Sequence, residues 1–255
     1  MSESYKALCN DFYVNQKLSL KMELPRTRET VLDLFERVRK LYPCMHNFRR
    51  YRDEYALENS QAQMPHRWAA MKGNYIRSGT VNPPTMEEAY SLHRNLLTLA
   101  PAYLSISPLD VDHLELLFGF DLAAGGNHDA IVLDALMRGS PMAALLDIPD
   151  THVMECQPMV GLAVTRRGDY EIFFEVKTRP TNGGLQRESE MTVNTDRADP
   201  ISIYLTLRKF GPITELSQLN DMLAMMAAKG EELIEQRVIP GLIVPIREAL
   251  SSGNS

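Results

Sequence analysis

The sequence has few cysteines, and nothing in it points to an oxidising compartment. Only three cysteines occur, at positions 9, 44 and 156, and none belongs to a C-x-x-C pair. An odd number of widely spaced cysteines argues against a disulfide framework. The N-terminal residues lack the basic and apolar regions of a secretory signal, so we expect a cytoplasmic protein.

Long apolar runs and familiar catalytic motifs are also missing. No run approaches the ~18 apolar residues that a membrane-spanning helix needs, so no membrane partner is predicted. The motifs G-x-G-x-x-G, G-x-x-x-x-G-K-[ST], G-x-S-x-G and H-E-x-x-H are all absent. We therefore predict no catalytic set, no metal site and no cofactor. The formal net charge of −6 makes general nucleic-acid binding an unfavoured function, because phosphates repel an acidic protein.

The spacing of apolar residues predicts both strands and helices. Alternation with period two predicts strands over 12–24, 111–121 and 201–210, and two more over 152–165 and 170–179, joined by a short loop at 166–169. Helical spacing predicts helices over 27–41, 85–99, 128–137 and 213–236, the last ending before Pro240-Gly241. Two polar runs, 46–58 and 67–78, have weaker strand-like content. The mixture indicates the α+β class.

The spacing predicts that the order strand–helix–strand–strand–helix occurs twice along the chain. The first unit spans 1–105 and the second 106–255, with an extra short strand near Met191 in the polar stretch 181–200. This order is that of ferredoxin-like folds. We expect the two units to form one continuous domain, an antiparallel sheet with helices on one face. The halves share no residue-by-residue identity, so duplication rests on element order.

A small-ligand site is one hypothesis for function. His113 and Glu115 are two residues apart on a predicted strand and so share a face, where an imidazole beside a carboxylate can move protons. After Gly125-Gly126, His128 and Asp129 begin a predicted helix. Folded back towards the strand, they would join His113 and Glu115 in a ligand-binding site of an enzyme or binder. The simpler interpretation is a solvated charge pair and a capped helix.

A surface for protein partners is the hypothesis that we favour. The run 46–78 contains six basic and three acidic residues with several aromatics between them. Arginine and aromatic side chains are typical of protein interfaces, and we predict that the interface includes Arg49, Tyr51, Arg67, Trp68 and Tyr75. A solvated strand surface with cross-strand charge pairs is the other interpretation of this run. The same pattern of basic and aromatic residues occurs in single-strand nucleic-acid binders, a weaker alternative because the RNA-recognition motif is absent. A methionine-rich helix near 222–226 is a second candidate contact surface.

These observations favour a non-catalytic interaction or assembly protein. It would act through the uncovered sheet face or the C-terminal helix. Its expected partner is a second copy of the chain, in a homodimer, or another protein. The enzyme or ligand-binder hypothesis and the nucleic-acid hypothesis stay open beside it.

Overall fold

A computed structural model describes residues 5–25, 27–145, 148–164, 170–178 and 199–252. The strands are β1 (Asp11–Leu20), β2 (Asn47–Tyr51), β3 (Glu54–Glu58), β4 (His66–Lys72), β5 (Tyr75–Val81), β6 (Val111–Leu122), β7 (Met159–Val164), β8 (Tyr170–Lys177) and β9 (Ile201–Phe210). The α-helices are α1 (Arg28–Leu41), α2 (Met86–Leu104), α3 (His128–Met137), α4 (Gln218–Leu233) and α5 (Val244–Ser252). The α+β class is therefore confirmed.

The strands form one nine-stranded sheet in the order β2-β3-β4-β5-β1-β6-β9-β8-β7. Every neighbouring pair is antiparallel. β1 and β6 lie side by side at the centre, where Asp11 pairs with Asp121 and Leu18 with Leu114. The sheet thus crosses from the first predicted unit to the second without interruption. The division at 105/106 stays a prediction.

Each of the two polar runs is a hairpin and not a single strand. β2 and β3 are joined at Arg52, whose φ is +49°, and β4 and β5 are joined at Gly73, whose φ is +55°. Four strands therefore separate α1 from α2, and the ferredoxin-like order is not confirmed. The extra strand predicted near Met191 and the loop predicted at 166–169 lie outside the described residues.

Helix-forming signals agree with the observed helices. Thr27 caps α1 by accepting from the Thr30 N–H at 3.3 Å, and Thr85 caps α2 by accepting from the Glu88 N–H at 3.1 Å. α4 does not end in a break before Pro240. A π-helical segment, Ile234–Ile243, continues the helical path through that proline into α5.

The main core lies between the helices and one face of the sheet. Buried side chains of all five described α-helices share one apolar cluster with one face of β1, β6 and β9; its largest members include Phe12, Leu18, Leu34, Leu92, Leu96, Phe118 and Phe120. α5 contributes Ile246 to that cluster. Among the described residues, no helix has both the length and the apolar character needed to cross a membrane.

On the opposite face, aromatic rings lie over glycines of the adjacent strand. Trp68 is paired with Gly79 and Tyr13 with Gly119, and in both pairs the ring occupies the space that a glycine Cβ would need. Phe173 covers Gly161 in the same way, 3.0 Å from the Cβ position. Two small apolar clusters on this face, Ala56–Trp68–Ala70 and Tyr13–Val81–Tyr204, are built around these rings.

Candidate functional site

The four predicted ligand-binding residues do not converge on one site. His113 and Glu115 lie near the start of β6, whereas His128 and Asp129 follow its end at Leu122. His113 and Leu122 are nine residue steps apart along the strand, a span of about 30 Å at ~3.4 Å per step. One small ligand cannot reach both pairs. A ligand-binding role for either pair alone stays a prediction.

His113 and Glu115 take part in charge pairs on the sheet surface. The Nδ1 atom of His113 lies 2.9 Å from Asp112 Oδ2, and its ring contacts Phe210 on β9. Glu115 accepts from Arg208 Nη2 at 2.8 Å, and Arg208 also reaches Glu171 on β8 at 3.4 Å. These contacts match the simpler interpretation of His113 and Glu115 as parts of a partly solvated ion-pair row.

His128 and Asp129 tie the start of α3 to two neighbouring segments. The buried Asp129 carboxylate accepts from the Cys156 N–H and from the Thr178 hydroxyl, both at 2.7 Å. The ring nitrogens of His128 lie 3.2 Å from the Thr178 carbonyl and 3.0 Å from the Ala124 carbonyl. Both side chains thus already hold the local structure together.

An open cavity of about 570 Å³ adjoins this helix start. It is lined by Gly126, Asn127, His128, Asp129, His152, Val153, Met154, Thr178 and Asp199. Its two carboxylates make it unsuited to anions, although a helix N-terminus would attract them. In the described part of the chain, no group of three or more histidine, cysteine, aspartate and glutamate side chains could hold a metal ion.

The five predicted interface residues do not share one surface. Arg67 lies on the helix-covered face and binds Glu88 of α2 at 2.8 Å. Trp68 is on the opposite face but only 1% exposed, so it cannot anchor a partner without rearrangement. Arg49 and Tyr51 remain accessible on β2. Their interface role, and that of the half-buried Tyr75, stays a prediction.

Buried ionisable side chains form a cluster on the sheet face opposite the helices; the sequence indicates cross-strand charge pairs on these hairpins, but as solvated pairs and not as buried ones. Arg77 binds both carboxylate oxygens of Glu54, at 2.7 and 2.6 Å, and stacks over the Trp68 ring. Beside them, Glu58 receives Arg49 Nε at 2.6 Å and faces His66. The sequence does contain a signal, because Glu54 and Glu58 are four residues apart on one strand and so share a face. That they lie beside Arg77 and His66 follows only from the strand register.

Half of the basic side chains of the hairpins are therefore paired with acidic ones. Three of the six basic residues, Arg49, Arg67 and Arg77, pair with glutamates. Phosphate binding would have to compete with these ion pairs. The arrangement weighs against the nucleic-acid hypothesis, which stays untested.

The two edge strands of the sheet differ sharply in chemistry. β2 has Arg49 and Arg50 among its five residues, and charged side chains protect an edge from further pairing. β7 reads Met-Val-Gly-Leu-Ala-Val, without a charge or a proline, and five of its six residues are exposed. Met159 is 63% exposed, Val160 54% and Leu162 49%. No further strand covers its outer edge within the described residues.

The chain before β7 adds exposed apolar side chains. Met142, Ile148 and Met154 are 52%, 60% and 73% exposed. Methionine side chains adapt to differently shaped partners. Single exposed apolar residues are ordinary, but several in the segment that precedes an unprotected strand make this region a candidate contact surface. We call β7 with these three residues the apolar edge, and it is the candidate functional site.

No protein-family model matches the chain, and no curated protein is significantly similar to it.

Proposed function

We propose that the protein is a non-catalytic assembly protein that forms a homodimer by pairing β7 with β7 of a second copy. The observation that carries the proposal is the uncharged, exposed strand at the edge of the sheet. An edge strand presents unpaired backbone donors and acceptors, which are a template for another strand. The opposite edge, β2, carries arginines that oppose such pairing.

Backbone geometry supports one register. The Val176 N–H donates to the Pro158 carbonyl at 3.0 Å, so alternate residues of β7 from Val160 onward face β8. The backbone groups of Met159, Gly161 and Ala163 therefore point outwards. Antiparallel pairing centred on Gly161 would join each outward residue to an outward residue of the other copy.

The same register joins the exposed side chains. Val160 of one copy would lie opposite Leu162 of the other, on the same face, with Cα atoms about 4.5 Å apart. Both side chains are about half exposed in the single chain. A two-fold axis through the glycines would produce a continuous sheet from the two copies, with all helices on one side.

Charges near the apolar edge do not oppose this contact. On β8, Glu175 pairs with Lys177 at 3.2 Å and Glu171 with Arg208 at 3.4 Å.

Strand pairing alone buries less than the ~800 Å² per partner typical of stable complexes. Met142, Ile148 and Met154 are expected to supply the remaining contact.

Light scattering coupled to size-exclusion chromatography tests the proposal. We expect the wild-type chain to elute as a dimer and Leu162→Lys as a monomer, because a buried ammonium opposite Val160 has no partner. Met22→Lys is the matched control, since Met22 is 64% exposed outside the apolar edge. A wild-type monomer at all concentrations would refute dimer formation.

Disulfide cross-linking tests the register. A Val160→Cys chain mixed with a Leu162→Cys chain should form a cross-linked dimer on mild oxidation, because paired Cα atoms lie within disulfide range. Neither variant alone should cross-link at that site. Cross-linking by a single variant alone would contradict the register centred on Gly161.

The duplication and the cytoplasmic location belong to the same proposal. We infer duplication because the two central strands, β1 and β6, each begin a half and pair with the last strand of their own half, β5 and β9. The location is supported by three cysteines that form no disulfide.

A small-ligand role at the cavity beside α3 is the alternative, supported by its volume and concave form.

A further inference from the structure

Two buried polar atoms face each other across β3 and β4. Glu58 Oε2 and His66 Nε2 are 3.9 Å apart, and their side chains are 2% and 3% exposed. Neither atom has a hydrogen-bond partner among the described residues. Buried polar groups are usually paired, because a buried group without a partner loses the hydrogen bond that it made with water. The pair therefore needs a physical explanation.

Both atoms are acceptors in the ordinary charge states of their residues. The His66 ring donates to the Asn59 backbone carbonyl, so a neutral ring leaves Nε2 with a lone pair. An ionised Glu58 has no proton to offer. Two acceptors repel, whereas a single proton between them satisfies both.

We propose that Glu58 and His66 share one proton and that this proton sets how firmly the edge strand β2 is held. The proton resides on Glu58 Oε2 and is donated to His66 Nε2 after a small rotation of either side chain. Its release leaves a carboxylate whose full charge acts on Arg49 of β2. This inference is independent of dimer formation through β7.

The charged groups around the pair come from three strands. From β2, Arg49 Nε lies 2.6 Å from Glu58 Oε1, and the Tyr51 hydroxyl donates to the same oxygen at 3.2 Å. From β3 and β5, the Glu54–Arg77 pair lies on the same face. Burial raises the pKa of Glu58 above the ordinary glutamate range and lowers the pKa of His66. Both directions favour a proton on the carboxyl group and a neutral ring.

The sign of the pH effect follows from Arg49. At low pH the carboxyl group is neutral, and Arg49 has a hydrogen bond but no ion pair. As pH rises through the Glu58 titration, the ion pair forms and β2 is held more firmly. We expect protection of the β2 amides against hydrogen exchange to increase about two- to fivefold, the effect of a partly exposed ion pair.

The experiment follows β2 amide protection and the Glu58 carboxyl ¹³C shift by NMR across the same pH range. In the full-length wild type, both should change with one midpoint above the ordinary glutamate range. Glu58→Gln should abolish the pH dependence of β2 protection. His66→Phe should move the Glu58 midpoint to lower pH, because the neutral carboxyl loses its acceptor.

Glu36→Gln also removes a glutamate from an ion pair with an arginine, at 2.8 Å on α1. That pair is too close to β2 to serve as a control, because Phe35 of α1 packs on Phe48 of β2. Glu232→Gln is therefore the matched control: it removes a glutamate that pairs with Lys229 at 2.9 Å on α4, a helix that packs on β6 and β9, and it should leave both midpoints unchanged.

A Glu58 carboxyl that titrates in the ordinary range, or a midpoint that His66→Phe does not move, would overturn the shared proton. Either result would favour instead a water molecule that donates a hydrogen bond to both atoms. These measurements need no folded Glu58→Gln variant.

Discussion

Replacing Gly119 with alanine should destabilise the protein strongly, because the Tyr13 ring occupies the space of the new methyl group. The Cβ would lie 2.8 Å from Tyr13 Cδ2 and still closer to two other ring atoms, whereas carbon atoms pack at about 3.5–4.0 Å. Tyr13 is buried, and its hydroxyl donates to Asp121 at 3.2 Å. The ring cannot move without straining the core or losing this bond.

The magnitude follows from three contributions. Overpacking costs about 1–3 kcal/mol, and a lost hydrogen bond adds about 0.5–1.5 kcal/mol. Reduced chain freedom in the unfolded state returns about 0.4–1 kcal/mol. The net loss in the free energy of unfolding is about 0.5–4 kcal/mol and centres on about 2 kcal/mol, which lowers the melting temperature by ~4–8 °C for a chain of this size.

Thermal and urea unfolding of matched variants measure this loss. Gly125→Ala is the control, since nothing lies within 4 Å of its Cβ position. In a Tyr13→Val background, Gly119→Ala should cost less, because the ring that it strikes is gone. Equal stability of Gly119→Ala and Gly125→Ala would refute the steric argument.

Other predictions concern the core and the helices. Burial lowers the pKa of His93 to about 3, against ~6.5 in an unfolded chain. The folded state thus binds fewer protons, and stability should fall as pH drops below about 6.5, by up to ~1.4 kcal/mol per pH unit; His93→Gln should remove this slope in urea midpoints between pH 4 and 7. Thr85→Ala should cost about 1 kcal/mol by removing the cap on the Glu88 N–H, whereas an unchanged urea midpoint would show that the cap is dispensable. Leu34→Ala, at a fully buried position, should cost about 2–5 kcal/mol, and a loss below 1 kcal/mol would contradict the packing of α1.

Strongly periodic segments could be predicted from the sequence. β1, β6 and β9 alternate clearly because one side of each strand faces the helices, and α1 has an apolar stripe behind a threonine cap. The hairpins were harder to predict. Four of the five β2 residues are exposed, so burial imposes no alternation, and the turn at Arg52 uses a residue that rarely adopts positive φ.

The candidate sites depend on information that spacing does not contain. His113 and His128 are close in sequence, but a twelve-residue strand carries them apart. Conversely, Glu58 and His66 meet because the β3–β4 register places Glu58 opposite Trp68, two residues from His66 on the same face. The sequence does show the apolar run of β7, but only the strand order reveals that it is an edge.

A residue near the end of the described chain contacts a residue near its beginning. Arg247 Nη1 donates to the Ala7 carbonyl at 3.1 Å across 240 positions of sequence, and Tyr5 packs into the main core beside Phe12. Segments near the two ends of the described chain therefore lie close together in space. A permuted gene that links residue 252 to residue 5 through a short spacer and opens at the Arg52–Asp53 turn would keep every strand neighbour. Which strand is made first could then be varied while the architecture is held constant.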